Sequence, residues 1–318
     1  MTKDIIAQIN ASAKSDIAVL GKDVECQHIE SMPTGILPLD YALGNGGFPK
    51  GLISEIHGLP SSGKSTICLQ LISYNQKKGV TCAWIDAEHS FDFVHAKNLG
   101  VDTDSLIFVQ PDYGEQVVET MEELIKAKVG IIIVDSVSGI VPLAELEGQA
   151  DQPTMGGQAR LISKLCRKIV AITKKNNTVV VFINQMRQNI MGGQWEPYTV
   201  TGGMALKHYA SIRLEAKRKG TLKVEEKEVG YATKFRVVKN KTSFPGKSCD
   251  INYLHKTGFE KEGDIAELAV EKGILKLEGR TYSFKEQKIA SSHDATNEAI
   301  KNNPILKAEL LGLLFSPQ

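Results

Sequence analysis

The sequence offers little from which a zinc, disulfide or membrane protein could be built. Its five cysteines lie far apart along 318 residues and form no CxxC pair, which argues against a zinc site and against a disulfide framework. It has no apolar run of about 18 residues and no signal-peptide pattern, so we expect a cytoplasmic protein. The net charge is only +1, so a nucleic-acid surface would have to come from local concentrations of charge.

What the sequence does contain is the composition of a globular protein with a large core, at 42% hydrophobic and 24% charged residues. From about residue 31, apolar segments alternate with amphipathic ones. This alternation predicts an α/β fold with a mainly parallel sheet covered by helices on both faces. The predicted strands are 52–58, 81–86, 131–136 and 178–184, and the predicted helices are 65–79, 114–130 and 157–175.

Both ends of the chain differ from this alternating core. Residues 1–30 are polar with a short apolar stripe, which fits either a frayed terminus or an arm that packs on a neighbouring molecule. Near residue 257 the pattern changes to that of a small α+β domain. We therefore predict an arm at 1–30, a core at 31–256 and a small C-terminal domain at 257–318. The last contains a helix at 264–273, a hairpin at 274–285 and two short helices broken at Pro304.

A phosphate-binding loop is the most specific motif. Residues 58–65 spell GLPSSGKS, which matches G-x-x-x-x-G-K-[ST] at every position, follows a predicted strand and opens a predicted helix. In such a loop backbone N–H groups approach the phosphates, Lys64 contacts the β- and γ-phosphates, and the Ser65 hydroxyl binds Mg²⁺. We therefore predict ATP and Mg²⁺ as cofactors. The predicted nucleotide contacts are Gly58, Leu59, Pro60, Ser61, Ser62, Gly63, Lys64, Ser65 and Thr66.

Two carboxylates at the ends of predicted strands complete a site for nucleotide hydrolysis. Asp135 ends the strand at 131–136, where a carboxylate can hold Mg²⁺. Glu88 follows the strand at 81–86, and ligands of parallel sheets lie at the carboxyl ends of the strands. We predict that Glu88 activates the attacking water; the alternative is a solvated loop carboxylate.

A long loop and a basic segment follow the last predicted strand. The stretch 183–203 has four glycines and Trp195, and long loops within compact domains are usually functional. Trp195 either meets a ligand or packs on the base of its own loop. The segment 206–247 holds 12 Lys and Arg residues against 4 Glu, a local basic region that favours nucleic-acid binding.

Eight blocks in order give the chain a family resemblance. They are GLPSSGKST, WIDAEHSFD, VQPDYGEQ, IVDSVSGIVP, MGGQARLISK, FINQMR, TGGMALKHYAS and RVVKNK. From about residue 33 to 303 the chain resembles bacterial RecA recombinases. The resemblance implies a RecA-like ATPase core and a DNA-dependent ATPase. Such a protein forms helical filaments on single-stranded DNA and pairs that strand with homologous double-stranded DNA during recombination and repair.

The same resemblance assigns roles beyond the phosphate loop. It implies that Asp92 and His95 lie at the nucleotide and that Gln185 senses the γ-phosphate. It implies that Lys239 and Lys241 act on the ATP held by the adjacent subunit, and that the N-terminal arm supports polymerisation. The loops at 145–155 and 183–203 match the two DNA-binding loops of the family. The implied DNA-binding residues are Met155, Gly156, Arg160, Arg167, Arg187, Ile190, Gly202, Gly203 and Lys207.

Several positions depart from the family. His95 replaces a Tyr that stacks on adenine, and His208 replaces a Phe that carries signals between subunits. The N-terminal arm looks shorter, and the C-terminal end lacks the acidic tail of many relatives. Such drift would suit a phage or mobile-element member.

Two other functions compete with the recombinase hypothesis. One is a related RecA-fold ATPase, such as a hexameric helicase or a repair-accessory ATPase, which would lack the VVKNK match. The other is a DNA-binding scaffold that binds ATP with little turnover. Glu88 argues against the scaffold, because a scaffold does not need a carboxylate that activates water.

Overall fold

The computed structural model describes residues 2–15, 17–20, 29–148, 156–188, 198–255, 258–260 and 265–315; at 187, 188, 198 and 199 the description covers the backbone alone. The chain divides into two units, residues 1–30 and residues 31–318. In the first unit, helix α1 (Thr2–Ala13) leaves the side chains of Ile5 and Ile9 exposed. The three-part division of the chain into arm, core and C-terminal domain stays a prediction.

The second unit opens with the elements of an α/β core. In chain order they are β1 (Ser31–Met32), α2 (Leu37–Ala42), β2 (Phe48–Pro49), β3 (Ile53–Gly58), α3 (Lys64–Gln76), β4 (Cys82–Asp86), α4 (Phe93–Asn98), β5 (Ile107–Val109), α5 (Gly114–Lys126), β6 (Ile131–Asp135), a 3₁₀ turn (Val137–Gly139), α6 (Leu143–Leu146), α7 (Gly157–Asn176), β7 (Val179–Gln188), β8 (Tyr198–Val200) and α8 (Met204–Tyr209).

The elements that follow are mostly antiparallel strands and then helices. They are β9 (Ile212–Val224), β10 (Lys227–Asn240), β11 (Ser248–Leu254), β12 (Gly258–Phe259), α9 (Ile265–Glu271), β13 (Lys276–Glu278), β14 (Thr281–Phe284), β15 (Gln287–Ala290), α10 (His293–Asn302) and α11 (Pro304–Phe315).

One large sheet organises the core. Its strands lie in the order β12-β11-β10-β9-β3-β7-β6-β4-β5, and β8 pairs with β7. The six strands β9, β3, β7, β6, β4 and β5, which are neighbours in that order, pair with one another in parallel. The strands β10, β11 and β12 continue the sheet beyond β9 with antiparallel pairing. The predicted α/β fold class with a mainly parallel sheet is confirmed.

The central strands are apolar because both of their faces are covered. In β6 the four residues Ile131–Val134 are all buried, a continuous run typical of a parallel strand between two helical layers. Apolar side chains of α3 pack on one face of the sheet, and those of α5 and α7 pack on the other. Because β3, β4, β6 and β7 are parallel, their carboxyl ends meet at one edge of the sheet. The loops that follow these strands can carry functional residues there.

The C-terminal segment has an apolar cluster of its own, which Tyr41 of α2 joins. Its sheet differs from the sequence prediction, because β13 and β14 are joined by a third strand, β15, where only a hairpin was expected. The two final helices are separated at Pro304 as predicted, since α10 ends at Asn302 and Pro304 begins α11.

None of the helices within the described ranges has both the length and the apolar character needed to cross a bilayer.

Candidate active site

The phosphate loop joins β3 to α3, as its pattern requires. Gly58 ends β3 beside β9, and a Cβ there would lie 2.2 Å from the carbonyl oxygen of Ala216. Any larger residue would push these two strands apart. Gly63, in a left-handed conformation, precedes Lys64 at the start of α3, so the N–H groups of the first helical turn are directed into the loop.

Lys64 is held inside the loop. Its side chain is buried, and Nζ donates hydrogen bonds to the carbonyl oxygens of Leu59, at 2.8 Å, and Gly58, at 3.2 Å. Burial lowers the pKa of Lys64, while the charges of Asp135 and Glu88 oppose that shift. Because these carbonyl partners are neutral, they leave the charge of the ammonium group uncompensated, and burial keeps most water away from it. The group can therefore bind an anion strongly.

Ser65 and Asp135 meet as the sequence predicts for a magnesium site. The Ser65 hydroxyl donates to Oδ2 of Asp135 at 2.7 Å. Burial raises the pKa of Asp135 to about 6, so an ionised Asp135 has little solvent to stabilise it. Mg²⁺ prefers oxygen ligands and usually takes only one or two from carboxylates, the rest coming from phosphate and water. The pair fits that requirement, and the described part of the chain holds no group of three or more His, Cys, Asp or Glu arranged for a metal.

Glu88 lies in a polar cluster at the ends of β4, β6 and β7. Its Oε1 accepts hydrogen bonds from Gln185 Nε2, at 2.6 Å, from Ser138 Oγ, at 3.1 Å, and from the hydroxyl of Ser136. The turn that presents Glu88 is fixed by the buried Asp86, which accepts from the backbone N–H groups of Ser90 and Phe91. Two of the predicted catalytic residues, Glu88 and Gln185, are thus in direct contact.

A cavity of about 190 Å³ lies over the phosphate loop. It is partly walled by Arg218 and Tyr231, two residues that the sequence did not single out. The Arg218 guanidinium stacks on the Tyr231 ring at 4.7 Å from its centroid. Both come from the β9–β10 hairpin, which was not predicted. The lining residues are Ser61, Ser62, Gly63, Lys64, Ser65, Thr66, Arg218 and Tyr231.

Asp92 and His95 lie at the start of α4. Asp92 is the N-cap of this helix and accepts from the N–H groups of Val94 and His95, both at 2.9 Å. The His95 ring lies 6.2 Å from that of Tyr253, centroid to centroid. Capping accounts for the Asp92 carboxylate, so its predicted nucleotide contact stays a prediction, as does that of His95.

Lys239 and Lys241 lie at the end of β10, beside α8. Lys239 Nζ donates to the carbonyl oxygens of Lys207, at 2.7 Å, and His208, at 3.0 Å. Lys241 Nζ donates to His208 at 3.3 Å. These contacts place both lysines against the last turn of α8.

The predicted DNA-binding residues are only partly described. Three residues of the predicted loops lie outside the described residues: Met155, Ile190 and Trp195. The side chain of Arg187 lies outside them as well. On α7, Gly156 is the N-cap, and Arg160 and Arg167 are exposed. Lys168 on the same helix instead pairs with Glu122 of α5 at 2.9 Å.

Gly202, Gly203 and Lys207 stand where the second predicted DNA loop ends. Both glycines have positive φ angles and lead into α8, of which Gly203 is the N-cap. Lys207 is half-buried on α8, and its carbonyl accepts from Lys239. Their roles at DNA stay predictions.

The fold and the site define a P-loop nucleotide hydrolase, with a phosphate loop after β3 and carboxylates at the ends of neighbouring strands. The chain belongs to the RecA family, because the RecA N-terminal domain model matches residues 2–260. It is therefore a RecA-type recombinase and a DNA-dependent ATPase of DNA repair.

Similar proteins agree with this assignment over nearly the whole chain. Protein RecA of Rickettsia bellii (strain RML369-C) is 44% identical over 307 residues, which cover 96% of this chain and 89% of the relative. Protein RecA of Rhizobium etli (strain CIAT 652) is 42% identical over 307 residues, which cover 96% and 85%. Protein RecA of Brucella anthropi is 41% identical over 301 residues, which cover 94% and 83%.

Proposed function

We propose that this chain assembles into helical filaments on single-stranded DNA and hydrolyses ATP with Mg²⁺ at the site formed by Lys64, Ser65, Asp135 and Glu88. The filament then pairs its strand with homologous double-stranded DNA. The proposed location is the cytoplasm, where bacterial DNA and ATP are both found.

The nucleotide part of the proposal is supported by the fit of the residues to the cofactors. Lys64 and the helix N-terminus supply positive charge where phosphates would lie, and Ser65 and Asp135 offer adjacent oxygen ligands. Bound ATP with Mg²⁺ supplies an electrophilic phosphoryl group whose charge the metal partly neutralises. Arg218 and Tyr231 line the cavity over the phosphate loop. Together with Asp92, His95 and the residues from Gly58 to Thr66, they would complete the proposed nucleotide contacts.

The side-chain contacts of Glu88 support its proposed role as a general base. All three described hydrogen bonds of its side chain end on Oε1, which holds the carboxylate in one orientation. In the proposed reaction Glu88 orients the attacking water and accepts its proton, and Lys64 stabilises charge on the phosphoryl oxygens.

The hydrogen bond between Gln185 and Glu88 is the main support for a coupling between DNA binding and ATP hydrolysis. Gln185 lies on β7, near the start of the predicted second DNA loop at 183–203. A loop that reorganises on DNA would move Gln185 and so change what contacts the catalytic carboxylate. DNA binding would in this way regulate hydrolysis.

The DNA-binding surface is proposed from the predicted loops together with the exposed basic residues of α7. Arg160 and Arg167 would meet phosphates, as would Arg187 and Lys207. Ile190 would wedge between bases, and Met155, Gly156, Gly202 and Gly203 would shape the two loops. Lys239 and Lys241 would reach the ATP of the adjacent subunit, so an open filament follows from one repeated head-to-tail contact.

Electron microscopy tests the assembly. The full chain is mixed with single-stranded DNA and a slowly hydrolysed ATP analogue, with ADP as the control nucleotide. Helical filaments that require both DNA and the analogue are expected. Closed rings would contradict the recombinase assembly and point instead to a ring-forming ATPase such as a hexameric helicase.

A further inference from the structure

A buried ion pair lies in the middle of the large sheet. Glu55 on β3 is fully buried, and its Oε2 accepts a hydrogen bond from Nε of Arg213 on β9 at 2.5 Å. Taking two charges out of water costs about as much as their attraction returns, so a buried ion pair by itself contributes little to stability. This ion pair lies between the second predicted DNA loop and Lys239, so it can connect the two.

The ion pair is connected to both ends of the second predicted DNA loop. The buried amide of Asn184 donates from Nδ2 to Oε1 of Glu55, at 2.8 Å, and to the carbonyl oxygen of Thr201, at 3.0 Å. Asn184 lies near the start of the predicted loop at 183–203, and Thr201 lies near its end. The Thr201 hydroxyl donates a hydrogen bond to the carbonyl oxygen of Gln185 at 3.3 Å. The two loop ends are therefore tied to each other and to the Glu55 carboxylate.

The ion pair also extends toward the proposed subunit contact. In the strand register Glu55 lies opposite Arg213, and Arg213 lies opposite Lys239. The three residues form one row across β3, β9 and β10. The pKa of Lys239 is lowered by burial and further by the charges of Lys241 and Arg213, so the charge of Arg213 acts on Lys239.

Within the described part of the chain, two polar atoms next to this row have no hydrogen-bond partner. Among the described residues, Asn184 Oδ1 and His57 Nδ1 are buried without a hydrogen-bond partner. His57 lies opposite Asn184 in the register of β3 and β7. An unmade buried hydrogen bond is costly. If the Asn184 amide turned toward His57, it would exchange its bonds to Glu55 and Thr201 for a bond to His57, which is a second arrangement of the same group. A coupling element needs two such arrangements.

We propose that Glu55 is a positioning residue that couples the second DNA loop to Lys239. When the loop ends move, the Asn184 amide moves with them and shifts the Glu55 carboxylate to which it is hydrogen-bonded. The carboxylate in turn positions the Arg213 guanidinium, whose positive charge acts on the Lys239 ammonium. The inference rests on the proposed function, because it assumes that 183–203 binds DNA and that Lys239 serves ATP hydrolysis.

Substitution of Glu55 by Gln tests this coupling. Glu55→Gln keeps an oxygen that can accept from Asn184 but removes the charge that holds Arg213. We expect nearly unchanged affinities for single-stranded DNA and for an ATP analogue, and a ratio of DNA-stimulated to basal ATPase reduced about tenfold, within the usual range of allosteric coupling. A merely structural role would reduce the affinities and the ratio together.

Asp40→Asn provides a matched control. Asp40 is also a buried carboxylate, and it accepts from Thr34 N, at 2.7 Å, Thr34 Oγ1, at 2.8 Å, and Gly35 N, at 3.1 Å. The change from carboxylate to amide is the same, but its partners belong to neither the loop nor the ion pair. DNA stimulation in Asp40→Asn should equal that of the unmodified protein.

Asn184→Ala decides the question if Glu55→Gln does not fold, as circular dichroism would show. It keeps the ion pair but removes both amide bonds, so DNA stimulation should again fall. The double variant should be no worse than the more impaired single variant, because both act through one connection. Full stimulation in folded Glu55→Gln, or in Asn184→Ala where only that variant folds, overturns the coupling. If the unmodified protein shows no DNA stimulation, the proposed function itself fails, and the coupling with it.

Discussion

Gln185 donates a hydrogen bond of 2.6 Å from Nε2 to Oε1 of Glu88. The two side chains are 97 positions apart in the chain, yet they meet because β4, β6 and β7 are parallel neighbours whose carboxyl ends share one edge of the sheet. The contact joins the residue proposed to activate water to the strand that leads into the predicted second DNA loop. It would give that loop a direct route to the proposed site of hydrolysis.

Replacing Glu88 by Gln should abolish turnover while leaving binding intact. The amide has nearly the same shape but cannot accept a proton from water, and removal of a general base typically costs at least about 10²-fold. We expect Glu88→Gln to bind ATP and single-stranded DNA nearly as the unmodified protein does. Steady-state ATPase, nucleotide binding and DNA binding measured on one preparation separate these effects.

Glu122→Gln is the control for this substitution. Glu122 lies on α5, where it pairs with Lys126 and Lys168 at the surface, and exposed pairs contribute little to stability. It should show normal turnover. Near-normal hydrolysis in Glu88→Gln as well would remove Glu88 from the catalytic residues.

Replacing Ser65 by Ala should increase the Mg²⁺ concentration that hydrolysis requires. The substitution removes one proposed ligand and the hydrogen bond to Asp135. We expect the Mg²⁺ titration of ATPase activity to shift upward by about tenfold, the scale of one lost metal-site partner. Ser105→Ala, at a surface residue bonded to Asp102, is the control. Superimposable Mg²⁺ titrations for the Ser65 variant and the unmodified protein would count against the metal role.

The local part of the site was predictable from the sequence, whereas its long-range contacts were not. The phosphate loop is a contiguous motif, and Asp135 and Glu88 follow strands whose apolar runs are easily recognised. The bonds from Gln185, Ser136 and Ser138 to one oxygen of Glu88 depend on which strands are neighbours. A single sequence gives no strand order.

Two hairpins were missed for a physical reason that they share. The β9–β10 hairpin turns at Glu225 and Glu226, and the β14–β15 hairpin turns at Lys285 and Glu286. All four residues have positive φ angles, as tight hairpin turns require, but none is the Gly, Asn or Asp that normally marks such a turn. The charged residues along β9 also conceal its strand pattern, and Arg218 and Tyr231 were missed with it.

The buried Asp40 should make the stability of the protein decrease as pH rises. Burial raises the pKa of Asp40 from 3.8 to about 7 in the folded protein, although bonds from Thr34 and Gly35 oppose the shift. The folded state therefore holds this proton more tightly than the unfolded state does. The resulting stabilisation is fully present below about pH 4 and is lost as pH rises toward 7.

Comparison with Asp40→Asn isolates this contribution. The free energy of unfolding of the unmodified protein, minus that of the variant, should fall by roughly 4 kcal/mol between these limits. Urea unfolding without DNA at several pH values measures it. A difference that stays constant, or that grows with pH, would show that hydrogen bonding rather than burial controls Asp40.

The salt dependence of DNA binding should reveal how many phosphates α7 contacts. Affinity for single strands is expected to fall linearly with salt on logarithmic axes, by about 0.7 for each neutralised phosphate. Arg160→Ala with Arg167→Ala should reduce that slope by about 1.4 if each meets one phosphate. Lys174→Ala, an exposed residue in the last turn of the same helix, should leave the slope nearly unchanged. Fluorescence anisotropy with a labelled oligonucleotide is sufficient; a slope unaltered in the double variant would exclude both arginines.

Lys241 should act on the ATP held by a neighbouring subunit. In its own chain Lys241 contacts the end of α8, and the Lys64 ammonium contacts the phosphate loop. If each active site combines a phosphate loop from one subunit with Lys241 from the next, an isolated subunit lacks part of the charge that stabilises phosphoryl transfer. Lys64→Ala and Lys241→Ala should each be nearly inactive when assayed alone.

Mixing the two variants distinguishes action within a subunit from action between subunits. Random equal mixing makes about a quarter of the interfaces complete, because a head-to-tail contact has one orientation. In these, an intact phosphate loop faces an intact Lys241, so DNA-stimulated ATPase should recover to about a quarter of normal. Differently labelled subunits in electron microscopy must first show that both variants enter the same filaments. With co-assembly established, a mixture as inactive as its components would refute the role of Lys241 between subunits.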